Sequence, residues 1–461
     1  MQDDHGAAAP SPQKFPRAFW TANLTELFER AAYYSMASFV VIYLGRLGLG
    51  EYWPSNLNGT LWFLVYFLPI LSGTIADQVG FRKSLLVAFV LLAGGYFMMG
   101  YPVWFGGQTL APVVSSEMTA GRDVLWPVLI AIVLIGIGGS VIKPCISGTV
   151  QKTHAGRATL AFAIFYMVIN IGSVVGRVVA YYVRHYYDNL SFIFAVAASA
   201  AVVAFFVVLL LYRDCDAPAG SPAKPKKSPG QVLLNMILVL RNRRFALFLL
   251  VSSGFWFLYN QVYNVLPLYV KRVVETDPAM DLYTAANPIT IVCFQLLITK
   301  LFGKMRPIRS IVVGTIIIGL SMVINLVPIW LAGGVRVLAL NWLPIGSLFI
   351  VLTVSLIAFG ELFTSPRTYE WIGALAPKGQ EGLFLGYANL PMAIGSLVGG
   401  PVGAAIFNEI MAAGAVERPD GLLELQPSAA TAGWLVLMAI GFASAFSMWL
   451  YNRWLEKQPA P

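Results

Sequence analysis

Glu26, Glu29 and Arg30 stand together in the run Thr25-Glu26-Leu27-Phe28-Glu29-Arg30-Ala31-Ala32-Tyr33-Tyr34, inside a long apolar segment. Positions 29, 30 and 33 follow Glu26 by three, four and seven, so on a helix all four form one stripe. Two acids and one base leave a surplus carboxylate. A carboxylate that alternates between a dry, like-charged setting and a neighbouring cation can take up and release a proton. The competing reading is an ion pair that only orients helices. Two further apolar runs carry a deep charge each. One reads Gly136-x-Gly138-Gly139-Ser140-x-x-Lys143-Pro144; the other reads Gly360-Glu361-Leu362-Phe363-Thr364-Ser365-Pro366, where the proline should break the helix beside the acid.

These charges are exceptional because the chain has so few. Of 461 residues, 58% are hydrophobic and only 11% are charged, with a mean hydropathy of +0.71. A soluble domain carries roughly 25% charged residues to build a hydrated surface. The composition therefore excludes a soluble protein and predicts an all-α polytopic membrane protein. Its 12 Trp and 20 Tyr suit anchoring at the headgroup level. Runs long enough to span a bilayer, about 20 residues, fall near 18–45, 55–77, 84–105, 124–150, 158–184 and 190–212. Six more fall near 245–270, 284–305, 309–332, 344–372, 383–410 and 430–452. The predicted plan is a tail (1–17), a six-helix bundle (18–212), a linker (213–244), a second six-helix bundle (245–452) and a closing tail (453–461). Within the linker, Val232 to Leu240 is apolar but too short to span, which suits a membrane-surface helix.

Charge placement sets orientation. Of the 31 Lys and Arg, 20 fall on the side of the termini and linker and seven on the other side, among them Arg46, Lys271 and Arg418. The positive-inside rule then puts termini and linker in the cytoplasm. The formal net charge of +9 is thus a topology signal and not a nucleic-acid footprint. Each buried charge is a functional candidate, because burying it in lipid is costly. Glu26 and Lys143 come out at similar depth, about 12 Å into the membrane by helical rise.

Other features weigh on function class. Cys145, Cys215 and Cys293 are scattered, with no metal-ligand spacing and no disulfide framework. Met1 to Pro16 lacks the basic region of a signal peptide, so the first apolar run is expected to remain as a helix. The three histidines form no His-Glu-x-x-His pair, and no Gly-x-Ser-x-Gly elbow or phosphate-binding Gly-x-x-x-x-Gly-Lys-Ser/Thr occurs. An enzyme and an ATP-driven pump are both disfavoured. A secondary transporter needing no cofactor beyond the proton is expected.

The six-plus-six layout with a basic linker resembles the major facilitator superfamily, whose halves rock around a midplane site. Gly73-x-x-x-Asp77-x-x-Gly80-x-Arg82 is similar to that superfamily's loop motif, which makes Asp77 and Arg82 candidates for gating. An ordinary basic loop is the alternative. More specifically, Glu26-x-x-Glu29-Arg30 with Tyr33-Tyr34 resembles the first-helix signature of the proton-dependent oligopeptide transporters. So do Lys143, Phe165-Tyr166-x-x-Ile169-Asn170-x-Gly172-Ser173, Phe255-Trp256 with Gln261, Asn287-Pro288 and Gly360-Glu361-Leu362-x-x-Ser365-Pro366. The matches run in order through both halves. The resemblance implies a proton symporter importing di- and tripeptides across a bacterial cytoplasmic membrane, working as a monomer. It implies proton coupling by Glu26, Glu29, Arg30 and Lys143. It also implies a substrate site of Arg30, Tyr33, Tyr34, Lys143, Asn170, Trp256, Asn287 and Glu361, with Arg30 and Lys143 facing the peptide carboxylate.

The chain departs from that pattern. The usual acid in the seventh helix is absent from Trp256-Phe257-Leu258-Tyr259-Asn260-Gln261, and Ala37 replaces a common second arginine. Arg177 and Arg367 are extra cations, each either snorkelling to an interface or serving substrate. One acid fewer and two cations more leave a second reading open: uptake of a small anion, or proton-coupled export of an amphipathic solute.

Overall fold

The computed structural model describes residues 14–458, apart from 38, 51, 112–116, 155, 188, 215–228, 276–277, 279, 333–337 and 341–342. The tail before residue 14 and residues 215–228 of the expected linker, Cys215 among them, lie outside the described residues. Apolar runs of bilayer length fold as helices because, in lipid, each backbone donor must find its acceptor inside its own segment. They are α1 (Arg17–Ala37), α2 (Tyr52–Phe67 and Pro69–Val79), α3 (Phe81–Trp104), α4 (Arg122–Thr153), α5 (Ala158–Tyr187) and α6 (Phe192–Leu211). After the linker come α7 (Arg243–Val274), α8 (Met280–Phe302), α9 (Pro307–Trp330), α10 (Ile345–Leu375), α11 (Glu381–Met411) and α12 (Pro427–Glu456). Ten of these are long and apolar enough to cross a membrane, and the bent α2 makes eleven. The remaining one, α1, is made less apolar by Glu26, Glu29 and Arg30, which it buries. The apolar stretch of the linker forms a separate short helix, Pro229–Val239, with Leu234 and Ile237 exposed.

The two halves repeat one packing plan. In the first, α1 packs on α5 and α6, α3 on α4 and α6, and α2 on α4. Shifting every helix by six gives the second: α7 on α11 and α12, α9 on α10 and α12, and α8 on α10.

Several helices break where the sequence supplies a reason. α2 bends by 43° at Pro69, whose ring removes a donor and crowds the preceding turn. α7 is interrupted at Gln261–Tyr263 and α11 at Tyr387–Asn389, both as single 3₁₀ turns. α10, by contrast, runs unbroken through Pro366. The expected break there does not occur: α9 packs alongside, and Ser310 donates to the carbonyl of Phe363 at 2.7 Å, so a neighbour serves the backbone beside the proline.

One face of the bundle gathers the chain ends and linker. Arg157 lies over the ring of Phe15 at 4.2 Å, and the Arg82 N–H donates to Asp214 at 2.8 Å. Tyr451 donates to the Arg244 carbonyl, while Arg306 and Arg309 both reach Glu456 at 3.3 Å. On this terminal face the halves are joined. The larger buried apolar cluster runs from the first half into Phe245, Ile308, Ile372 and Leu383 of the second. The rest of the second half's core is a separate cluster.

Candidate functional site

The stripe on α1 is buried where α5 presses against it. A Cβ on Gly172 would meet Arg30 Cβ at 2.7 Å, and one on Gly176 would meet the Ala31 carbonyl at 2.4 Å, so only glycine allows this approach. Within the stripe the charges are unequal. Arg30 binds Glu29 through Nε and through a second guanidinium nitrogen at 2.7 Å. Glu26 is fully buried with Arg30 Nε 3.4 Å away, yet neither of its carboxyl oxygens has a hydrogen-bond partner. The surplus carboxylate read from the sequence is therefore Glu26. Arg30 also lies 5.0 Å from the centre of the Tyr33 ring, and Tyr33 packs edge-on against Trp62.

Between the halves lies a narrow cavity of about 80 Å³. From the first half it is lined by Tyr34, Tyr66, Lys143 and the α5 residues Tyr166, Asn170, Ser173 and Arg177. Those four α5 residues are spaced by four, three and four, one helical face. The second half adds Trp256, Tyr259, Tyr263, Asn287 and Glu361, together with Thr368 and Asn389.

Glu361 is buried and held: Tyr166 donates to one oxygen and Asn287 to the other at 2.8 Å. Asn170 donates to the Tyr166 carbonyl at 2.9 Å, fixing that turn of α5. The Lys143 ammonium has no hydrogen-bond or ion-pair partner among the described residues, and it lies within electrostatic range of both Glu26 and Glu361. The indole N–H of Trp256 is buried without an acceptor.

Of the expected substrate residues, Tyr34, Lys143, Asn170, Trp256, Asn287 and Glu361 line this cavity, whereas Arg30 and Tyr33 do not. Both are drawn behind its wall by Glu29 and the α2 aromatics. Ser173 belongs to the fifth-helix motif, whereas Tyr66, Tyr259 and Tyr263 are not among the site residues expected from the sequence. Tyr259 and Tyr263 follow Trp256 by three and seven, a signal that was available; nothing marks Tyr66. In the α7 run that lacks the acid, the matching Gln261 is buried and donates to Phe257 and to Gly399 of α11, so a neutral amide ties α7 to α11.

Asp77 and Arg82 do not pair with each other. Asp77 accepts from the Gly382 and Leu383 N–H groups at 3.1 and 2.9 Å, capping α11 from the opposite half. Arg82 stays within its own half, donating to the Leu209 carbonyl at 2.7 Å. α2 and α11 touch so closely that a Cβ on Gly73 would lie 2.2 Å from the Gly382 oxygen. Arg367 also crosses between halves on this face: it donates to Thr159 and Glu370 at 2.6 Å and to the Gly303 carbonyl at 2.7 Å.

Residues 56–346 match the profile of the Major Facilitator Superfamily. The chain belongs to that superfamily. It is a membrane transporter, not an enzyme. Among its relatives, a dipeptide and tripeptide permease A from Serratia proteamaculans is 26% identical over 296 residues, 62% of this chain and 53% of that permease. The chain thus matches about half of that relative's length. A multidrug resistance protein, MdtH, from Klebsiella pneumoniae is 23% identical over 83% of this chain and 81% of its own. Among solved structures, a POT family transporter in complex with a thioalcohol conjugated peptide superposes with a TM-score of 0.67, at 19% identity, over 96% of this chain and 97% of that one. This facilitator chain therefore has the fold of the POT transporters.

Proposed function

We propose that the protein is a proton-dependent oligopeptide transporter that imports di- and tripeptides by alternating access, with its terminal face in the cytoplasm. The observation that carries this reading is the pairing, in one cavity between the halves, of a fixed carboxylate with an unpartnered ammonium. Glu361 on α10 suits a peptide's amino end and Lys143 on α4 suits its carboxylate. A ligand bridging α4 and α10 touches both halves and so favours the state in which they close on it. The unsatisfied Trp256 N–H offers a donor to a peptide carbonyl.

Glu26 supplies the proton site. Glu29 is occupied by Arg30, so of the two acids it is Glu26 that can take a proton without giving up a hydrogen bond. Protonating it removes one of the two negative charges near Lys143, which frees the ammonium to bind substrate; deprotonation recaptures it. The permease and peptide-bound structure among the relatives support this reading, as does the excess of Lys and Arg on the terminal side.

The test uses proteoliposomes with an imposed inward proton gradient. Alanyl dipeptide should accumulate and carry protons inward, and alanine should not; absence of dipeptide-dependent proton entry would refute the proposal. A second reading, transport of a small anion or an amphipathic solute, is favoured by one observation: the cavity holds two cations, Lys143 and Arg177, that no carboxylate pairs among the described residues, against one acid. A thermal-shift panel of dipeptides and small anions separates the two, since only a bound ligand stabilises the fold.

A further inference from the structure

Arg177 is the cavity residue that the peptide-transport reading leaves without a role. It continues the α5 face Tyr166-Asn170-Ser173 by one more turn and lines the same cavity. Its guanidinium carbon lies 5.7 Å from the centre of the Tyr34 ring. Its Nε is buried with no hydrogen-bond partner, and no carboxylate pairs with it among the described residues. A snorkelling arginine would bury its stem and leave its polar atoms in water; this one keeps a donor buried beside the substrate space.

The charge count gives this consequence. With Lys143 and Arg177 positive, Glu361 negative and Glu26 protonated as in the substrate-binding state proposed above, one cation is in excess. A zwitterionic peptide of net zero charge leaves that excess in place, whereas a peptide with one acidic side chain neutralises it. The spacing agrees. Arg177 lies eleven positions beyond Tyr166, about 16 Å of helical rise away from the Glu361 end, before its own side chain shortens the gap. A tripeptide extends over roughly 10 Å of backbone, so an amino end at Glu361 leaves its far end to meet the guanidinium.

We propose that Arg177 is a specificity-determining residue that makes the transporter prefer short peptides with a second carboxylate at the end remote from the amino group. This rests on the peptide-transport reading above.

The experiment measures the affinity of the purified full-length protein for Ala-Ala-Glu, Ala-Ala-Ala and Ala-Ala-Lys, in the wild type, Arg177→Gln and Arg177→Lys. One charge-assisted contact formed only with the acidic peptide gives a preference for Ala-Ala-Glu over Ala-Ala-Ala of about tenfold. Ala-Ala-Lys should bind weakest. In Arg177→Gln the Glu-to-Ala affinity ratio should fall to near one, and Arg177→Lys should restore part of it. The ratio is read within each variant, so a general loss of stability does not imitate the effect. Equal wild-type affinity for the Glu and Ala peptides, or a preference that survives in Arg177→Gln, overturns the assignment of Arg177 alone. Failure of all three peptides to bind the wild type overturns the peptide reading as well.

Discussion

Removing the Asp77 carboxylate should open the terminal face. In the closed state this side chain accepts two backbone N–H groups at the start of α11, at 2.9 and 3.1 Å, from across the interface between halves. Both bonds vanish when α2 and α11 part, so they stabilise only the closed state. A hydrogen bond to a charged group contributes about 1.5–3 kcal/mol, but these donors regain water on opening, and helix caps typically contribute about 1 kcal/mol. We take about 2 kcal/mol for the pair, which changes the closed-to-open ratio by about thirtyfold. Asp77→Asn keeps one acceptor oxygen and should produce about half of that free-energy change. Spin labels at Lys83→Cys and Lys378→Cys, exposed on opposite halves of the terminal face, report the ratio through double electron–electron resonance in a cysteine-free background. The short-distance population should dominate in the parent and give way to a longer distance in Asp77→Ala, with Asp77→Asn between them. An Asp77→Ala distribution within twofold of the parent would refute the capping argument.

Two other predictions concern the remaining buried charges. Arg367→Ala removes the cation from the half-buried Glu370 and cuts the link from α10 to Gly303, while Thr159 still donates to Glu370 at 2.8 Å, a loss of about 3 kcal/mol, the low end for a broken buried pair; the thermal midpoint in detergent should fall by several degrees, and Arg367→Lys should not restore it. Glu26→Gln should cost less stability than Glu29→Gln, because it weakens only a 3.4 Å ion pair with Arg30 and loses no hydrogen bond, and should keep substrate exchange while losing proton-driven accumulation. Glu29→Gln should instead lower the thermal midpoint, because it weakens the pairing of a buried arginine. Equal effects of the two substitutions on stability would contradict the different roles assigned to them.

Much of this architecture is legible in the sequence because lipid enforces it: span lengths, the repeat of six and the basic linker all follow from a scarcity of charge. Lys143 and Glu361 were legible for the same reason, each being a charge deep in an apolar run. Periodicity put Glu26, Glu29, Arg30 and Tyr33 on one face but could not say which neighbour covers it. α5 does, through Gly172 and Gly176, so Arg30 and Tyr33 sit behind the cavity wall. For Arg177 and Arg367 the sequence offered two readings each, and only the relative rotation of helices separates them: one lines the cavity and the other clamps the terminal face. The unbroken α10 shows the same limit, since a proline's effect depends on which helix lies alongside. The partner of Asp77 was hidden for a related reason, because it is the backbone of a segment some 300 residues away.

The central claim is that Glu361 and Lys143 form the two ends of a peptide site coupled to a proton. It is tested most directly by proton-driven uptake of an alanyl dipeptide into proteoliposomes, comparing the parent with Glu361→Gln, which keeps the shape of the side chain and removes its charge. The account predicts strong accumulation by the parent and loss of it in the variant. Undiminished proton-driven uptake by Glu361→Gln would contradict it.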